Sequence, residues 1–436
     1  MDDTHGTAAH AELNTLVDDL FRRQAARIVS TLTRVFGPGY LSLAEDVTQE
    51  TLIAALRQWP YSGVPDNPSA WLMTVARNRA LDAIRRERVQ ARGYADIATL
   101  QAAWDELEQA VDLLDHEPRD DQLRMMFTCC HPALSREARV ALTLKTLGGL
   151  SVPEIARAFL VKEETIARRL VRARRALRER RVSFAVPAAA ELPFRLDSVM
   201  DALYLLFNEG YSAHSGGALV RHDLCAEAIR LASLLAEHPV GNVPRVHALL
   251  ALLLLQASRL PARTDDAGDL LLLEDQDRAL WDRRLTRAGL LELARAASGE
   301  TLSVYHLQAE IAACHSVAPN YPSTDWRRIL RCYDDLLALA PSPVVALNRA
   351  VALAMVDGPE AGIAALDAIR ASPGIASYHL FHATLGELWR RAGDDREAAV
   401  HLTRALQIGG TDPERRFLQA RLDGLGVEAG RATRDA

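Results

Sequence analysis

Between Lys162 and Arg181 the sequence sets nine Lys or Arg against three acids, a net +6 within twenty residues of a chain whose formal charge is −6. Everything else must then sum to −12. A basic stripe of this density inside an acidic whole is the footprint of a polyanion partner, although a charge run alone is more often a solvated helix face. Spacing decides between the two. Ile166, Leu170, Ala173 and Leu177 recur at i, i+4, i+7 and i+11 and make a narrow apolar seam. Thr165, Arg168, Arg172 and Arg175 keep the same period on the other side. One helix thus carries both an anchor and a row of guanidinium groups, which bond guanine O6 and N7 in a bidentate fork or clamp phosphates. That is the requirement for an anchored helix in the major groove.

The elements that would position this row lie just upstream. Ser151-Val152-Pro153-Glu154 reads as a helix start, with Ser as N-cap, Pro in the first turn and Glu placed for a capping box. The short helix it opens and the basic helix from Glu163 or Glu164 have helix-turn-helix spacing, with Leu160 at the turn position usually given to Gly. Further upstream, Leu43 to Leu52 predicts a helix with Asp46, Gln49, Glu50 and Ile53 on one face and Val47, Leu52, Ala55 and Leu56 turned inwards. That polar face suits protein binding or plain solvation. A loop from Pro60 to Pro68 precedes a helix over Asn67 to Arg88, which carries Trp71 in its first turn and five arginines from Arg77 onwards. Cations, amides and an aromatic together suit unstacked single-stranded bases. Trp71 serves equally well as a core anchor.

The whole chain predicts helix nearly everywhere. Its 436 residues are 49% hydrophobic and 25% charged, with 6% aromatics and few β-branched runs. Five cysteines (Cys129, Cys130, Cys225, Cys314 and Cys332) form no even framework, which favours a reducing compartment. The N-terminal sequence lacks the pattern of a signal peptide, and Ala248 to Ala257 is about half a membrane span, so it reads as a buried helix in a cytoplasmic protein. Cys129-Cys130-His131 lies between Met125-Met126-Phe127 and Pro132 with no second ligand pair at metal spacing, and it reads as buried thiols. Without a phosphate loop, GxSxG or HExxH, the expectation is a non-enzyme with no metal and no cofactor.

After the Ala-Pro-rich joint Val186 to Pro193 the pattern stays helical almost to the end. Leu385, Gly386, Trp389, Ala398 and Ala405 occupy the small and aromatic positions of a tetratricopeptide-like unit. A step of about 34 residues back gives Val351, Ala352, Met355, Ala364 and Ala371. Stacked helix pairs follow from this, but a uniform array does not.

The order EDVTQET, then NPSAWLMTVARNRALDAIRRER, then a linker and TIARRLVRARRALRERR resembles an extracytoplasmic-function sigma factor. The tail, with NEGY at Asn208 to Tyr211 and LLLLEDQDRALWD at Leu270 to Asp282, is similar to the subgroup with a tetratricopeptide-like extension. The resemblance implies an all-α fold: sigma region 2 over 16–92, a linker over 93–119, region 4 over 120–182 and a helical regulatory extension over 191–430. It assigns Asp46, Gln49 and Glu50 to the β′ clamp helices of core RNA polymerase. It assigns Trp71, Arg77, Asn78, Arg79, Arg85 and Arg86 to the −10 element, with the Pro60 to Pro68 loop helping to hold an extruded base. Thr165, Arg168, Arg169, Arg172 and Arg175 fall to the −35 duplex. The implied partners are core RNA polymerase, promoter DNA and a protein partner for the C-terminal repeats. The alternative is a conventional helix-turn-helix regulator with a partner-binding repeat domain, which leaves the two upstream motifs without a use.

Overall fold

The computed structural model describes residues 24–91, 117–159, 161–211, 220–265 and 269–425. Among these, every regular element is helical, and β structure is limited to one antiparallel bridge between Thr264 and Leu270. Contacts divide the chain into two units. The first lies within Met1–Glu209 and Asp223–Gly241, the second within Gly210–His222 and Asn242–Ala436.

The first unit starts with α1 (24–36), closed by Gly37 at φ +87° and a Pro38–Tyr40 turn. Helix α2 (Leu41–Ser62) follows, and it runs straight through Pro60. The expected Pro60 to Pro68 loop therefore shrinks to residues 63–67, opened by Gly63 at φ +80°, whose N–H bonds Trp59 O. Helix α3 (Pro68–Ala91) begins where the Asn67 side chain accepts from the Ala70 N–H at 3.0 Å, with Pro68 in the first turn, where no donor is lost. Ile28, Leu32, Leu41, Val47, Leu72, Ala76 and Ile84 fill the core of this part. Most of the 93–119 linker falls outside the described residues.

Helices α4 (Glu117–Cys129), α5 (Arg136–Thr146), α6 (Val152–Ala158) and α7 (Glu163–Glu179) come next. The predicted capping box at Ser151 and Glu154 is present, and Ile166, Leu170, Ala173 and Leu177 are all buried. Leu160 lies outside the described residues. Helix α8 (Leu192–Tyr211) and helix α9 (His222–Glu237) then close over α4 and α5. Arg195 donates to Phe127 O at 3.1 Å, Arg139 to Ser198 Oγ at 3.2 Å and Arg230 to Gln122 Oε1 at 2.9 Å. Arg136 pairs with Asp201. The first two helices of the extension thus belong by contact to the first unit.

The second unit stacks α10 (Pro244–Ala257), α11 (Arg283–Ala296), α12 (Val304–Val317), α13 (Trp326–Leu339), α14 (Pro343–Asp357), α15 (Pro359–Ile369), α16 (His379–Ala392), α17 (Asp395–Ile408) and α18 (Asp412–Asp423) as successive antiparallel neighbours. Leu249 to Leu255 is buried throughout, as expected of a core helix. The 34-residue step needs correction. Ala364 is exposed, and Ala371 lies beyond the end of α15. Gly362 and Ala398, and Leu366 and Leu402, are the buried counterparts, each pair 36 residues apart. Close helix approach fixes the small positions. A Cβ on Gly362 would stand 2.6 Å from Ala354 Cβ, and one on Gly386 2.8 Å from Leu402 Cγ.

Candidate nucleic-acid interface

On α7 the anchored seam leaves Arg168, Arg172 and Arg175 exposed and Thr165 half-buried. Arg168 pairs with Glu164 at 3.1 Å and Arg175 with Glu179 at 2.6 Å, both one turn away on the same helix. Such exposed pairs cost little to break, so these guanidinium groups are available to a stronger anion. Arg169 differs from its neighbours. It is half-buried with its guanidinium 5.8 Å from the Phe159 ring centroid, which ties α7 to the end of α6. Val171, beside the row, is 62% exposed, an apolar group of the kind that meets a thymine methyl. Neither feature is visible from the arginine spacing.

Arg174, on the flank of the same helix, was not among the sequence candidates, and it turns away from the basic row. Its guanidinium meets Glu45 of α2 at 2.5 Å, and Glu45 also accepts from Thr146 of α5 at 3.1 Å. Glu45 is buried, and desolvation raises its carboxyl above the usual range even though Arg174, Thr146 and Lys145 pull the other way. Arg34 and Asp121 make a second link between the two helical groups at 3.2 Å. Sequence spacing places Glu45 beside Asp46, but only the packing shows that it faces inwards.

Along α3, about 3.6 residues per turn places Trp71, Asn78 and Arg85 on one line at i, i+7 and i+14. Asn78, Arg85 and Arg86 are exposed. Trp71 is half-buried, edge-on to Trp59 at 5.5 Å, so it is a packed aromatic that still borders the surface. Arg77 is half-buried on another side of the helix. Arg79 is half-buried and pairs with the exposed Glu50 of α2 at 2.8 Å, which ties α3 to α2.

On α2, Asp46, Gln49 and Glu50 are all exposed, and Ile53 beside them is 48% exposed. Leu56, expected to turn inwards, is instead 55% exposed, because it follows Ile53 round to the outer face while Val47 and Ala55 take the core. Glu50, Ile53, Ala54, Arg57, Gln58 and Arg79 line one shallow depression of about 520 Å³. An apolar centre with a charged rim is the usual composition of a protein-binding patch.

The thiols of Cys129 and Cys130 are fully buried, and burial pushes the Cys130 thiol up to about 12 and Cys129 well above its ordinary value. They stay protonated at neutral pH and act as packing groups, as the sequence suggested. Among the described residues no cluster of His, Cys, Asp or Glu has the makings of a metal site, and no helix is long and apolar enough to cross a membrane.

Comparison with known proteins coincides with these surfaces. The model of Sigma-70 region 2 matches residues 20–89, that of Sigma-70 region 4 matches 124–177, and a family of unknown function (DUF6596) matches 195–297. An uncharacterised protein of Rhizobium meliloti is 40% identical over 389 residues, covering 89% of this chain and 91% of its own. The ECF RNA polymerase sigma factor SigL of Mycobacterium tuberculosis is 33% identical over 175 residues, 39% of this chain and 91% of that protein. The ECF RNA polymerase sigma factor SigK of a Mycobacterium species is 28% identical over 155 residues, 35% of this chain and 75% of that one. No solved structure matches.

Proposed function

Because the chain belongs to the extracytoplasmic-function RNA polymerase sigma factors, we propose that its two surfaces divide promoter recognition between them while α2 docks on the polymerase. As a sigma factor it is a transcription initiation factor, and its partners are core RNA polymerase and promoter DNA. Asp46, Gln49 and Glu50, with Ile53 at their centre, form the docking patch for the β′ clamp helices. Trp71, Asn78, Arg85 and Arg86 serve the melted −10 strand, with residues 63–67 beside them. Arg168, Arg172 and Arg175, with Thr165, read the −35 duplex. Arg77, Arg79 and Arg169 act mainly by holding helices in place. The observation that carries this reading is the exposed arginine row backed by a fully buried seam on α7.

The contact between Glu45 and Arg174 adds a conformational requirement. The −10 and −35 elements are centred roughly 25 base pairs apart, ~85 Å of duplex at ~3.4 Å per pair. Two domains joined by an ion pair do not span that distance, so the compact form is the resting form and polymerase separates the domains. Weak binding to each element then suffices, because polymerase makes the two contacts multivalent. The acidic remainder of the chain disfavours free association with random DNA. A cytoplasmic location follows from these partners. The extension regulates initiation, acting on region 4 through α8 and α9.

The test combines the full chain with bacterial core RNA polymerase and a library of double-stranded promoters, followed by sequencing of run-off transcripts. Defined start sites sharing two upstream elements are expected, and they should vanish with Arg168→Ala plus Arg172→Ala. Absence of initiation together with tight duplex binding by the chain alone would replace this reading with the conventional regulator.

A further inference from the structure

The second unit contains a cavity of about 380 Å³. Its walls come from alternate helices of the stack, α14, α16 and α18, and from the aromatic group of Tyr321, Trp326 and Tyr333 at and beside α13. Tyr321 meets Trp326 edge-on at 5.2 Å. The open side is covered by the chain itself, since Leu270, Leu272, Leu273 and Glu274 also line the space. This strap, residues 269–277, belongs to the LLLLEDQDRALWD segment that the promoter-binding surfaces leave without a role.

The strap is gripped by charge. Glu274 meets Arg391 of α16 at 2.9 Å and Arg421 of α18 at 3.8 Å. Asp275 meets Arg421 at 3.6 Å, and Asp269 meets Arg416 at 2.5 Å. Three arginines on two helices therefore face three carboxylates of one segment, which turns at Leu272 to Asp275, where the Asp275 N–H bonds Leu272 O at 2.9 Å. Yet Leu270, Leu272 and Leu273, which line the cavity, are only half-buried over it. Anchoring lies just outside this stretch. Arg278 donates to His315 O and Ala318 O at 2.6 and 2.7 Å, and Trp281 is buried between Arg278 and Arg259. Thr264 bridges Leu270 at the other end. Part-exposed ion pairs and half-buried leucines make a seat that can be vacated while the anchors at Arg278 and Trp281 stay in place.

We propose that this groove is a receptor site for a short, leucine-rich acidic segment of a second protein, with residues 269–277 as its built-in competitor. The seated strap shows the chemistry the groove selects: apolar side chains over the aromatic wall and carboxylates on Arg391, Arg416 and Arg421. The unfilled volume favours a partner with a larger apolar side chain, such as Phe, where the strap has Leu272. The strap competes at the high effective concentration of a tethered ligand, on the order of millimolar, so an incoming segment must fit better than the strap does. This holds whether or not the extension controls initiation, because binding is measured without polymerase or DNA.

The experiment uses the full chain and a fluorescein-labelled synthetic peptide with the sequence of residues 269–277, followed by anisotropy. A strap-weakened variant carrying Asp269→Ser, Glu274→Gln and Asp275→Asn should bind the peptide at least 10-fold more tightly than the unaltered chain. Adding Arg421→Ala to that variant should reverse the gain. Arg416→Ala, at the more exposed rim, should reverse part of it with an unchanged melting curve, which separates loss of the site from loss of the fold. A peptide with Phe in place of the third residue after Asp, Leu272 of the chain, should bind better than the parent, and one with amides for carboxylates should not bind. Equal peptide binding by the unaltered and strap-weakened chains would overturn the proposal. So would a strap-exchanged dimer, seen by light scattering as a doubled mass without peptide binding.

Discussion

Glu45 on α2 and Arg174 on α7 stand 2.5 Å apart, and the contact joins the helix of the exposed Asp46, Gln49 and Glu50 to the helix that carries the exposed arginine row. The carboxylate is buried, and its pKa is raised by desolvation despite the arginine. A raised carboxyl pKa in the folded state means that this group favours folding most at low pH and loses that contribution as pH rises above its unfolded value. Arg174→Ala removes the main opposing charge and enlarges the loss. The variant should lose about 3–5 kcal/mol at pH 7, and less near pH 4.5, where the carboxyl is protonated more readily. Urea unfolding across this range measures the difference. The same variant should bind core polymerase more readily, since the closed form no longer competes.

The arginines of α7 should separate by environment. Arg168→Ala and Arg172→Ala, at exposed positions, should each reduce transcription from a cognate promoter roughly 10-fold or more, the usual consequence of losing a bidentate base contact. Melting should be unaltered. Arg169→Ala should instead lower the melting temperature, because its guanidinium packs on Phe159. Run-off assays on promoters with intact and scrambled −35 elements, alongside thermal unfolding, give the split.

The proposed docking patch on α2 should respond at its apolar centre. Ile53→Asp is expected to abolish binding to core polymerase, and Asp46→Ala with Gln49→Ala to weaken it. All three positions are exposed, so stability should change by less than about 0.5 kcal/mol. Pull-down on immobilised core enzyme, with Leu56→Asp as a neighbouring surface control, distinguishes a focused patch from a general apolar effect.

Acid should loosen the second unit through His401. Burial first, then His382 and Arg370, lower its pKa to about 4, while Asp367 opposes the shift. A lowered histidine pKa means that the unfolded chain takes up the proton first. Stability is therefore lost as pH falls from 6.5 towards 4, the interval between the ordinary and the folded values. His401→Asn should flatten this part of the pH profile, read from urea midpoints of the full chain.

The period of the apolar seam on α7 determined which arginines face outwards, because a single helix with one buried stripe leaves few choices. Capping chemistry at Ser151 and Glu154 was likewise a local matter and legible in order. Helical period puts Asp46, Gln49, Glu50 and Ile53 on the outer face of α2, but the exposure of Leu56 does not follow from it, since nothing local says how far a core extends along a helix. The repeat length failed for a related reason. Small residues are common in an Ala-rich chain, and only the contact of Gly362 with Ala354 and of Gly386 with Leu402 shows which ones let helices touch. Glu45 and Arg174 lie 129 positions apart, and the strap carboxylates about as far from Arg391 and Arg421. Local periodicity carries no information at that range. Which helix meets which, and therefore which charges pair, was decided by tertiary packing alone.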